Sequence, residues 1–109
     1  MFFKRKENNI CVNNKNDSFY VDSFPIMVDI ALELTKNENI IKKLNELKFS
    51  LEYLSVSPKE KIIKIDEDIK NKLEELKKGL LENNHEADIL NLIVNIRVLI
   101  KEREMFYNG

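Results

Sequence analysis

The run from Ile89 to Ile100 constrains this chain more than any other stretch. Ile89, Leu92, Ile93, Ile96, Leu99 and Ile100 recur at i, i+3, i+4 and i+7, the period of one helix face. Leu90, Val94 and Val98 widen that face well past a single stripe, and Asp88, Asn91, Asn95 and Glu102 leave only a narrow polar strip. A helix so nearly apolar all round has to be covered on more than one side. The pattern places this helix over 84–106, with the rest of the chain supplying the cover.

A second helix is predicted over 58–82. Ser57 reads as its N-cap, Pro58 as its first residue and Glu60 as the reciprocal capping acid. Ile62, Ile65, Ile69, Leu73, Leu76 and Leu80 give it one narrow apolar face. Acid-before-base pairs lace the other side: Glu60–Lys64, Asp66–Lys70, Asp68–Lys72 and Glu74–Lys78. Gly79, near its end, either admits a close neighbour or marks an early stop. Asn83 and Asn84 alone remain for a turn, so 58–82 and 84–106 should form an antiparallel hairpin. Asn83 with Glu86 reads as another capping pair.

Upstream, Ile40, Leu44, Leu47, Leu51 and Leu54 step by 4 and 3 and predict a helix over 38–55, flanked by Ile41 and Phe49. Thr35 and Glu38 have the spacing of a capping box, so the chain should break there. Before the break a shorter helix is expected over 24–35, capped by Asp22 or Ser23, with Pro25 in its first turn. Its stripe is read as Met27, Ile30, Ala31 and Leu34. Residues 1–22 are read as a separate arm, either irregular or a β-hairpin. Ile10-Cys11-Val12 and Phe19-Tyr20-Val21 flank the turn-rich Asn13 to Ser18. Residues 23–109 form the helical domain.

Composition narrows the function classes. The chain is 109 residues long, enough for one modest core, and its two glycines and two prolines are too few for a turn-rich β fold. A net charge of −1 gives no nucleic-acid footprint. Only Met1-Phe2-Phe3-Lys4-Arg5-Lys6 is locally basic, and its pairing of apolar with basic residues suits a surface anchor. The polar residues Glu7, Asn8 and Asn9 follow at once, which argues against a secretory signal. No apolar run approaches the ~20 residues of a membrane span. The single cysteine, Cys11, excludes an intramolecular disulfide and points to a reduced, cytoplasmic thiol. The Lys, Asn and Ile bias fits an AT-rich coding genome of bacterial type.

No constellation of residues points to chemistry. His85 is the sole histidine and has no second histidine at i+4, so the zinc-helix motif is missing. One histidine likewise cannot supply the two Glu-x-x-His motifs of a di-iron bundle. Asp66, Glu67 and Asp68 point about 100° apart on a helix and are read as a solvated face. Cys11 has no histidine nearby in sequence, and two glycines cannot build a phosphate loop. Phe24, Phe49, Tyr53, Phe106 and Tyr107 are read as core or rim and not as a base-stacking platform, which needs a basic groove. No catalytic, cofactor-binding or metal-ligating residues are therefore assigned, and no cofactor is expected.

These features predict an all-α, up-down helical bundle of three long helices and one short N-terminal helix. They predict a non-enzymatic protein–protein interaction or assembly module. The alternatives are a peripheral membrane or nucleic-acid accessory factor using the basic tip, and a small-ligand regulator. A protein partner is expected without an identity, and a homodimer is one candidate. Ile26, Met27, Val28, Ile30 and Leu32 spread round their helix and leave apolar surface to cover. The competing cover is the arm itself, through Phe19, Tyr20 and Val21.

Overall fold

Four helices make up residues 15–108, the part of the chain that the computed structural model describes: α1 (Lys15–Glu33), α2 (Glu38–Glu52), α3 (Glu60–Leu81) and α4 (Glu86–Asn108). The described residues contain no strand. The all-α expectation holds. So does the break between the first two helices, while the readings of residues 1–14 lie outside the described residues.

The helices form a ring in the order α1–α2–α4–α3. α1 packs on α2 and α3, α4 packs on α2 and α3, and the backbones of the diagonal pairs stay apart. Ties join the N-terminal ends of α2 and α4 (Asn37–Glu86) and their middles (Glu46–Arg97), so these two helices run parallel. The chain is thus two antiparallel hairpins side by side, and the link 53–59 crosses the diagonal from α2 to α3. The last helix is not central, as its apolar breadth suggested. It has the two neighbours expected of it, α2 and α3, and its remaining side faces out.

The α3 seam matches the sequence pattern in full and those of α2 and α4 at most positions, with Leu54, Leu92 and Leu99 only partly buried. Ile40, Leu44, Leu47 and Leu51 of α2 are buried, as are all six predicted positions of α3. On α4 the buried set is Ile89, Ile93, Ile96 and Ile100. α1 departs from expectation in length and register. It starts at Lys15, inside the stretch read as an arm, and at 19 residues it is longer than α2. Its buried seam is Val21, Phe24, Val28 and Ala31, whereas Ile30 is 41% exposed. Pro25 lies inside the helix, where it removes the N–H that the Val21 carbonyl would accept, a cost of about 3 kcal/mol. Phe24 and Val28 are fully buried to either side of the proline, and their burial offsets the lost bond.

The caps also fall elsewhere than the patterns suggest. Asn37, not Thr35, caps α2: its Oδ1 accepts from the N–H groups of Asn39 (2.9 Å) and Ile40 (3.1 Å). Thr35 Oγ1 accepts the Asn37 N–H at 3.1 Å, which shapes the turn before the cap. Asn37→Ala should therefore cost about 1 kcal/mol in a urea melt. A larger loss from Thr35→Ala than from Asn37→Ala would move the cap back to Thr35. At α3 the N-cap is Lys59, with no side-chain bond, and Ser57 Oγ accepts the Lys59 N–H (3.3 Å) in a turn two residues earlier.

Asn83 and Asn84 do not open α4; they close α3. Asn83 sits at φ 58°, its N–H donates to Leu80 O, and the Asn84 N–H donates to Gly79 O at 2.9 Å. This is the paired pattern of a left-handed helix stop, with asparagine in glycine's usual place. Gly79 is there for close approach: a Cβ would lie 2.9 Å from Ile89 Cδ1 and 3.2 Å from Asn84 Nδ2. The His85 carbonyl accepts from Asp88 and Ile89 and begins α4, so the lone histidine contributes its backbone there.

Polar ties lock the ring. Lys48 of α2 meets Asp29 of α1 at 2.8 Å, and the hydrogen bond to Asp29 and its charge raise the Lys48 pKa. Lys59 Nζ donates to the Phe106 (3.0 Å) and Tyr107 (3.3 Å) carbonyls, favourable at the negative end of α4. The largest correction concerns the acidic triplet. Glu67 and Asp68 are solvated, but Asp66 is 2% exposed and faces Arg103, itself 3% exposed. Arg103 Nε donates to Asp66 Oδ1 at 2.6 Å, and its Nη2 reaches Oδ2 (3.3 Å) and the Ser55 carbonyl (2.6 Å). One guanidinium thus joins α4 to α3 and to the diagonal link. On the outer face of α3 Lys70 pairs with Glu74 and Lys72 with Glu75.

Candidate functional site

The outward side of α4 and the adjoining edge of α2 form an open groove of about 610 Å³. The seams dictate it. With Leu47 and Leu51 turned to the core, Phe49 and Tyr53, four residues apart, must turn out from α2. With Ile93, Ile96 and Ile100 turned in, Val94 and Val98 must turn out from α4. These four side chains line the groove and are 52–71% exposed. Phe49 and Tyr53 meet edge to face with ring centroids 4.9 Å apart, a favoured aromatic geometry that keeps both rings on the rim.

Charge of both signs borders this apolar strip. Arg97 Nη1 bonds Glu46 Oε1 at 3.2 Å and clips α4 to α2, with Lys43 Nζ 3.6 Å from the same carboxylate oxygen. Lys101 and Glu104 complete the α4 wall. Where the groove reaches the link, a smaller pocket of about 140 Å³ leads in to Arg103 between Tyr53 and Tyr107. The Arg103 guanidinium carbon lies 5.9 Å from the Tyr107 ring. Arg103 thus fixes the end of α4 that carries half of the groove.

This arrangement offers an apolar strip with a mixed-charge rim. Among the described residues no three His, Cys, Asp or Glu side chains converge as metal ligands, and no helix is long and apolar enough to cross a membrane. His85 is exposed at the opposite end of α4, and Cys11 and the Met1–Lys6 tip lie outside the described residues. Phe24 is core, whereas Phe49, Tyr53, Phe106 and Tyr107 are rim. Val94 and Val98 had been expected under cover, and the diagonal placement of α1 leaves them open. Arg97, Lys101 and Glu104 carried no motif of their own. Their signal was spacing alone, since they flank the outer stripe of a helix whose inner stripe was plain.

The class defined by fold and surface is a four-helix, all-α domain with an open apolar groove. The chain matches no protein-family model, no curated protein and no solved structure.

Proposed function

We propose that this chain is a non-enzymatic protein–protein interaction or assembly module whose working surface is the α2/α4 groove. One observation carries the proposal: Phe49, Tyr53, Val94 and Val98 are all more than half exposed along a single groove. A soluble domain rarely leaves so much apolar surface contiguous without a use. Exposed aromatics ringed by charge match the anatomy of a protein interface, an apolar centre within a polar rim. Arg97, Lys101 and Glu104 supply the rim that sets orientation.

A photo-crosslinking residue tests this in the native cell when placed at Val98 or Tyr53, with Lys77 on the exposed face of α3 as the control site. Protein adducts should form from Val98 and Tyr53 and not from Lys77. Equal yields from all three sites, or none from the groove, would reject the assignment.

A further inference from the structure

We propose that the occupant of this groove is a second copy of the chain, with α4 packed antiparallel against the other α4 about a two-fold axis. The inference rests on the reading of this face as an interaction surface and names its partner. Val94, Val98, Lys101 and Met105 step by 4, 3 and 4, a second seam on α4 beside the one that builds the core. Its apolar members are 52–73% exposed, as are Phe49 and Tyr53 alongside. Together these five apolar side chains expose on the order of 500 Å², at roughly 150–250 Å² for a whole large side chain. One side of a standard interface buries about 800 Å², a little over half of it non-polar, so the patch is the size one protomer must bring.

The charges point to self-pairing. A two-fold contact places one surface against itself, so the surface must carry both members of every ion pair. Arg97 and Glu104 lie on the same flank of the outer seam, two helical turns apart and opposite in sign. When two α4 helices run antiparallel about an axis near Ile100, Arg97 of each copy, bonded through Nη1 to Glu46 of its own chain, turns its remaining N–H groups to Glu104 of the other. Both pairs form at once. Lys101 then lays its methylene stem along Val98 of the second copy and keeps its ammonium at the rim. A partner of one dominant charge would instead call for a rim of the opposite sign. Ile26 and Ile30, the exposed apolar pair of α1, sit on the ring's other corner and take no part.

Sedimentation equilibrium of the full chain through the micromolar range tests this. The mass should rise from 12.9 kDa towards twice that value as concentration increases. Val98→Lys, Arg97→Glu and Glu104→Arg should each weaken association by about tenfold or more. With Glu46→Arg added to keep the pair within the chain, the Arg97→Glu/Glu104→Arg charge swap should return to near the wild-type constant, and Ile26→Lys should leave it unchanged. Each variant is checked for wild-type helicity by circular dichroism, since all these positions are exposed. A mass that stays at 12.9 kDa overturns the inference. So does a dimer weakened by Ile26→Lys and not by Val98→Lys, or one in which the charge swap fails to rescue. A monomer that associates only once residues 1–14 are removed also overturns it, because those residues then fill the groove. A monomer whose Val98 crosslinks to a different protein ends the self-pairing proposal and leaves the interaction reading standing.

Discussion

Arg103→Met should lower stability by about 3–5 kcal/mol, read as a lower urea midpoint with an unchanged slope. The side chains of Arg103 and Asp66 are 3% and 2% exposed, so neither charge has much water to fall back on. Methionine fills most of the arginine's volume, so the loss is not mainly a cavity. It comes from the Asp66 carboxylate, which loses a bidentate counter-ion, and from the Ser55 carbonyl, which loses a donor at 2.6 Å. The Asp66→Leu/Arg103→Met double replacement should recover much of the loss. A buried ion pair is costly to break from one side and much cheaper to replace whole. A single-variant loss below about 1 kcal/mol would mean that the pair is solvated and holds nothing together.

That asymmetry explains why a bundle would keep the pair. An Ile–Leu seam is tolerant of sliding, because one apolar contact replaces another at little cost. Arg103 must reach Asp66 on α3 and Ser55 on the link at the same time, and one alignment of α4 satisfies both. The link runs to the diagonal helix, where no helix–helix contact fixes it, so the guanidinium supplies the missing tie. It also holds Glu104 and Tyr107, its neighbours in the small pocket, at one end of the groove.

The seams of α2, α3 and α4 were legible because period alone specifies them: every predicted α3 position is buried. Asp66 and Arg103 were harder to see, although the signal existed. The steps Ile62, Asp66, Ile69, Leu73 and Ile93, Ile96, Ile100, Arg103 keep the 4-and-3 spacing without interruption. An acid on one seam and a base on the other mark a buried pair once the two helices are known to be antiparallel. Reading the acidic triplet as a unit hid this, since residues about 100° apart cannot all face water when Ile65 and Ile69 face the core.

α1 was misread for a related reason. Pro25 fits a first turn, and accepting it as one removed Val21 and Phe24 from the period. Tertiary burial carried the helix through the proline, and the stripe rotated with it. Asn83 shows the limit of local pattern most directly. Asparagine serves an N-cap or a left-handed helix stop equally well, and only the hydrogen bonds to Leu80 and Gly79 distinguish the two. The groove was the least legible feature. It follows from α1 lying diagonal to α4, and no property of either helix alone states that placement.

Ile96→Ala and Val98→Ala, two residues apart on α4, should differ by several kcal/mol. Ile96 is fully buried, so truncation loses its transfer energy and leaves a cavity, about 2–5 kcal/mol in all. Val98 is 52% exposed and should cost within about 1 kcal/mol in dilute protein. Lys72→Ala, at an exposed pair with Glu75 on α3, should stay within about 0.5 kcal/mol and sets the floor of the scale. Equal losses at Ile96 and Val98 would mean that the groove is closed by something already bound there. If that cover is a second copy, the Val98 loss should grow with protein concentration and the Ile96 loss should not, because only Val98 would then draw its burial from association.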